Sequence, residues 1–193
     1  MSSTARHAAS RDGHGPLVTV AEFEREWATR EETYELVDGR TIMSPPESIA
    51  NLDAASELGL LLRGFLERAA WMILPQAGVT VRGGDRATIR VPDLVVAVRR
   101  GQEGIRLPAE DVVLVVEVLS PSSSRTDRWV KRREYARAGI PAYLMVDRHS
   151  GPPALTLLTD PVDGDYQAEV TGASLTLRLA GRDVPLHAQD FVH

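Results

Sequence analysis

Apolar and polar positions along this chain switch between two periods. "VTVAEFEREWA" has the spacing of a short helix, and Thr19 and Glu22 stand three residues apart as a capping box. "TYELVDGRTIM" alternates with period two on either side of Asp38-Gly39, which predicts a tight hairpin. Between Leu52 and Met72 the apolar residues Leu58, Leu61, Leu62, Phe65, Leu66 and Ala69 recur at helical spacing, so one amphipathic helix is expected there. Strands are predicted at "AGVTVR", at "IRVPDLVVAV" and at "VVLVVEVL", with the charged loop Arg99–Asp111 between the last two. A helix should follow from Thr126 to Ala138, stopped by Gly139 and Pro141. "AYLMVD" reads as a short buried strand, and "ALTLLTD", "YQAEV" and "SLTLRLA" as further strands divided by turn residues. The pattern predicts a mixed α/β (α+β) fold: one domain over 17–193 behind a disordered leader over 1–16.

Composition narrows the classes. A hydrophobic fraction of 43% in 193 residues is enough for a core without staples. The absence of cysteine excludes a disulfide framework and a cysteine zinc site, and it fits a reducing compartment. No run approaches the roughly 20 apolar residues of a membrane helix. The first residues lack the apolar core of a signal peptide, so a cytoplasmic protein with no membrane partner is expected. The net charge of −5 argues against a generally basic, polyanion-binding molecule. Locally the balance reverses: Arg125, Arg128, Lys131, Arg132, Arg133 and Arg137 face only Asp127 and Glu134 between residues 120 and 139. Lys131 is also the only lysine among 22 basic residues.

The anomaly is Glu117, set inside "VVLVVEVL", the most apolar stretch of the chain. A buried carboxylate without a partner costs several kcal/mol or gives up its charge. If "VPDLVVAV" and "VVLVVEVL" pair antiparallel, Asp93 near the start of one strand meets Glu117 near the end of the other. Neighbouring strands lie about 4.8 Å apart, close enough for two carboxylates to share a cation. A helix running back along the sheet brings Lys131 level with Glu117, on one stripe with Tyr135 and Ala138. Two carboxylates with a backbone oxygen suit a hard cation such as Mg²⁺, with Mn²⁺ as a substitute and no organic cofactor. An ammonium beside it can orient water and stabilise a phosphate in transit, and Arg125, Arg128 and Arg132 would hold the backbone of a nucleic acid. The chemistry expected is metal-dependent phosphodiester hydrolysis. Plainer accounts stay open: Asp93 as a strand-edge turn residue, Glu117 in a simple ion pair with Lys131 or an arginine, and the arginines as a solvated helix face.

The segments "YELVDGRTIMSPP", "VPDLVVAV", "VVEVLSPSS" and "DRWVKRREYARAGIPAYLMVD" occur in an order and spacing that resemble the PD-(D/E)xK nuclease superfamily. More narrowly they resemble the Uma-type family of restriction endonucleases. The resemblance implies a restriction-endonuclease-like core, a central mixed sheet flanked by helices with additional C-terminal strands. It implies Asp93 and Glu117 as ligands, with the Val118 carbonyl as a third. The superfamily places its lysine two residues after the glutamate, where this chain has Leu119; in the Uma-type variant the lysine moves to the next helix, where Lys131 sits. Glu35 matches a further acidic position, and Asn51 stands near a position where members often carry histidine. The five histidines receive no role. The resemblance thus implies a Mg²⁺-dependent DNA endonuclease, expected as a homodimer, with specificity from the loop Arg99–Asp111, the C-terminal strands or a partner. The competing expectations are a silent nuclease fold that binds DNA or protein, and a structural α/β domain.

Overall fold

The computed structural model describes residues 16–27, 30–121, 125–149 and 151–192. The expected leader, apart from Pro16, lies outside them, as do His7, His14 and His193.

The chain begins with α1 (Val20–Glu26), whose capping box between Thr19 and Glu22 is formed. The hairpin of β1 (Tyr34–Val37) and β2 (Arg40–Met43) follows, turning at Asp38 and Gly39 with φ of 52° and 76°. Both central residues take positive φ, the type I′ geometry that Asp-Gly favours. Next come α2 (Ile49–Phe65), β3 (Trp71–Pro75) and β4 (Gly78–Arg82). The expected helix over Leu52–Met72 is therefore two elements. Leu66 already has extended backbone, and "WMILP" pairs with a neighbouring strand instead. The helical spacing of Ala69 and Met72 was coincidental, because a continuous apolar run satisfies both periods.

The stretch "IRVPDLVVAV" also divides, into β5 (Thr88–Arg90) and β6 (Leu94–Val98), which belong to different sheets. Pro92 supplies no ladder donor, and the chain changes sheets there. Within the expected loop Arg99–Asp111 lies β7 (Arg106–Pro108), then β8 (Val112–Leu119). The return helix is a π-helical turn over Thr126–Lys131 continued by α3 (Arg132–Arg137), and Gly139 takes φ of +74° just beyond it. The remaining strands are β9 (Ala142–Asp147), β10 (Ala154–Val162), β11 (Asp165–Gly172), β12 (Ser174–Leu179) and β13 (Arg182–His187).

A six-stranded mixed sheet ordered β11-β10-β9-β8-β6-β3 forms the centre, antiparallel except for the β8–β9 pair. That parallel pair is joined by the π turn and α3, as a crossover requires. Side chains alternate along β8: Leu114, Val116 and Val118 pack with Leu58 and Leu62 of α2 and the β12–β13 hairpin. Val115 and Leu119 face the other way, toward Tyr135, Tyr143 and Val79. Glu117 therefore projects toward α3. A second sheet, β2-β1-β5-β4-β7, carries a small core of its own with Phe23 and Trp27 of α1. Among the described residues no helix is long and apolar enough to cross a membrane.

Candidate active site at the junction of two sheets

Residues 91–93 carry the chain from the second sheet to the central one, and the site forms at that crossing. Leu94 pairs with Val116, so Asp93, one residue earlier, stands across from Glu117, one residue later. Asp93 Oδ2 accepts the Val118 N–H at 2.6 Å. Glu117 Oε1 accepts from Lys131 Nζ at 2.8 Å and from the Tyr135 hydroxyl at 2.7 Å. Glu117 and Lys131 are 4% and 8% exposed, so this is an interior pair rather than a surface one. Asp93 Oδ1 and Glu117 Oε2 receive no hydrogen bond from a described residue, and both side chains line a cleft of about 310 Å³.

Lys131 has a second carboxylate that the sequence reading had counted only as charge. Asp127, one helical step earlier and 1% exposed, places Oδ1 3.1 Å from Nζ. The contact is not aligned as a hydrogen bond, and that oxygen has no other donor. Its signal in the sequence was the four-residue spacing from Lys131. Arg90 was missed as well. It is buried, forks onto Glu134 at 2.6 and 2.9 Å, and donates to Glu35 at 2.7 Å. Glu35 also accepts the Val91 N–H at 3.0 Å, so it is a buried residue of the cleft wall and not a solvent-facing hairpin side chain. An arginine inside "TIRVPD" was the same kind of oddity as Glu117 inside its strand.

Charge is unevenly compensated here. Lys131 and Arg90 serve Glu35, Glu117, Asp127 and Glu134 between them. Asp93 has no basic side chain within ion-pair distance among the described residues, and burial pushes its carboxyl up to about 7 against the pull of the Val118 N–H. Burial likewise drives Glu117 up to about 8, with Lys131 opposing and Asp127 and Asp93 adding to the rise. The surrounding carboxylates hold the Lys131 ammonium well above its ordinary value despite its burial. Burial alone would raise Glu35, but Lys131, Arg90 and the Val91 N–H reverse this and keep it below the ordinary carboxylate value.

Five carboxylates against two fixed cations is a donor set short of positive charge, which a divalent ion would complete. No three acidic or imidazole side chains among the described residues enclose an ion by themselves. Asp93 and Glu117 alone could hold a hard cation only with water completing its shell. The Val118 carbonyl accepts from Asn51 Nδ2 at 3.3 Å, and a carbonyl keeps a second lone pair for another partner. Asn51 is itself held by Glu47 and by Arg148.

The expected nucleic-acid arginines are not brought to this cleft. Arg128 pairs with Asp147 at 2.6 Å, and Arg132 pairs with Asp165 and Glu169 at 2.6 and 2.7 Å. Arg125 is exposed beside the cleft wall residue Thr126. His149 and His187 lie outside the cleft lining.

Comparison with known proteins agrees with this architecture. A crystal structure described as "a putative nuclease belonging to DUF820", from Anabaena variabilis ATCC 29413, is similar to this chain with a TM-score of 0.64. The two share 16% identity over 86% of this chain and 95% of that one, a likeness that speaks for the fold alone. No curated protein matches the sequence. The model of the family Uma2, described as "Putative restriction endonuclease", matches residues 20–186, from the start of α1 into β13. The chain therefore belongs to the Uma2 family of restriction-endonuclease-like proteins.

Proposed function

We propose that this protein is a divalent-cation-dependent nuclease that hydrolyses DNA phosphodiesters in the cleft between the two sheets. The observation that carries the reading is the pair of buried, undercompensated carboxylates, Asp93 and Glu117, each with one oxygen free of donors in the same cleft. These two residues, with the Val118 carbonyl, would hold the cation, Mg²⁺ with Mn²⁺ as a substitute. When bound, a divalent ion neutralises phosphate charge and lowers the pKa of water. Around it the chain's own groups divide the remaining work. Lys131 presents an ammonium to non-bridging phosphate oxygens or to the attacking water, Tyr135 fixes the Glu117 rotamer, and Arg90 ties Glu35 of the cleft wall to Glu134 of α3. A homodimer would let each protomer cut one strand.

A second reading rests on the same contact seen differently. Lys131 and Tyr135 already satisfy Glu117 Oε1, as they would in a purely structural cluster of a nuclease fold that only binds DNA or protein. Incubation with supercoiled plasmid in Mg²⁺ or Mn²⁺ tests the first reading. Nicked or linear product is expected from the wild type and is absent in EDTA and with Asp93→Asn. Product that persists at wild-type rate in Asp93→Asn assigns the activity elsewhere.

A further inference from the structure

The helix that turns Lys131 inward presents a different face outward. Asp127, Lys131 and Tyr135 recur every four residues on the buried side, while Arg125, Trp129 and Arg133 recur every four residues on the exposed side. Trp129 is 64% exposed and its neighbour Val130 46%. An indole left in solvent forgoes the stabilisation that burial gives an aromatic side chain. Three other basic residues of the segment are committed within the protein: Arg128 to Asp147, Lys131 to Glu117 and Asp127, and Arg132 to Asp165 and Glu169. Arg125 and Arg133 form no ion pair with a described residue, and they flank the indole.

This face is continuous with the cleft. Thr126 lines both the cleft and a notch formed by Arg125, Trp129 and Val130. The cleft also adjoins a cavity of about 180 Å³ at Thr33, Gln76 and Val91, and that side carries Glu31 and Glu32 with Arg30, and Glu24 paired with Arg106. A polyanionic strand leaving the cleft finds no net positive charge on that side and two exposed arginines on the other.

We propose that the Arg125–Trp129–Arg133 face is a nucleic-acid docking strip on which Trp129 stacks against an unstacked base of the strand held in the cleft. The inference rests on the nuclease reading and narrows its substrate. Within an intact duplex the flat faces of the bases are covered by their neighbours. An indole finds a free face only on a single strand, a frayed end or a flipped base. The ligand class is therefore nucleic acid with unpaired bases adjoining the scissile strand, and the two arginines contact its phosphates.

The test uses the full chain with Ca²⁺ in place of Mg²⁺ to hold cleavage in check. Fluorescein-labelled oligothymidylate and a blunt duplex of the same length serve as probes, with binding read by anisotropy. Trp129→Ala should weaken oligothymidylate binding roughly 5- to 150-fold. Trp129→Phe should retain most of it, and the blunt duplex should respond little to either change. The exposed position keeps folding intact, which a thermal melt checks. If both probes bind and neither substitution matters, the strip is not the docking site, while the nuclease reading stands. If Trp129→Ala splits a dimer and leaves oligothymidylate binding unchanged, the face serves self-association and the inference is overturned. If neither probe binds the wild type, the nucleic-acid substrate falls, and the strip with it.

Discussion

Lys131→Met removes the cation from a buried pocket that holds two carboxylates, and its consequence can be worked from the geometry. Glu117 lies 2.8 Å and Asp127 3.1 Å from the ammonium, and none of the three residues is more than one-tenth exposed. Breaking such a buried pair by removing one partner costs about 3–5 kcal/mol. The pH dependence of the loss follows from Glu117. With Lys131 in place its folded carboxyl is already raised to about 8 by burial, so removing the ammonium penalises the charged form and its cost grows only as pH rises past that value, by about 1.4 kcal/mol per unit. Urea denaturation in EDTA should therefore show a smaller loss of stability at pH 7.5 and a larger one at pH 9.5. Lys131→Met combined with Glu117→Leu should recover only part of the loss, because Asp127 stays unpaired; adding Asp127→Asn should recover most of the rest. A loss below about 1 kcal/mol at pH 9.5, or one that does not grow between pH 7.5 and 9.5, would refute the claim that Lys131 is the shared cation of two buried carboxylates.

Two further outcomes follow from neighbouring groups. Arg90→Lys keeps the charge but not the fork that spans Glu134 and Glu35, so urea denaturation should show a loss of about 1.5–3 kcal/mol; a loss under about half a kcal/mol would mean that the guanidinium geometry is irrelevant. The cation-free protein should lose thermal stability as pH rises. Asp93 and Glu117 bind protons more tightly folded than unfolded, so their contribution is full below about pH 4 and is lost through about 7 to 8. Glu35, held below its ordinary value, acts with the opposite sign: its contribution is present above about 4.5 and is lost as pH falls through its folded value. The melting temperature in EDTA should thus decline between about pH 6 and pH 8.5, and Mg²⁺ or Mn²⁺ should raise it more at the upper end. A melting temperature that is flat over that range contradicts the assignment.

Local chemistry was readable wherever one residue type dictated one geometry. The capping box at Thr19 and Glu22 and the Asp38-Gly39 hairpin formed as expected. Glu117 stood out because a carboxylate in an apolar strand demands a partner, and the antiparallel pairing of β6 and β8 brings Asp93 opposite it. Misreadings arose where one pattern satisfied two structures. The apolar run through Trp71 and Met72 matched a helix and a strand equally, and only pairing with β6 decided it. The stretch "IRVPDLVVAV" was expected as one strand, whereas Pro92 marks the passage between two sheets that creates the cleft. Arg90, Asp127 and Glu134 were hidden because their partners lie far along the chain or on a helix face whose phase depends on the π turn. Arg128 and Arg132 looked free for a polyanion because the sequence does not reveal that Asp147, Asp165 and Glu169 reach them.

The most direct test of the central claim, that Asp93 and Glu117 hold a divalent cation, is calorimetric titration of Mg²⁺ and Mn²⁺ into the wild type and into Glu117→Gln, with duplex DNA absent and then present. Saturable binding to the wild type that vanishes in Glu117→Gln is the expected result. Binding that survives the substitution unchanged, or no binding to the wild type even with DNA, would contradict it and leave Glu117 as the structural partner of Lys131.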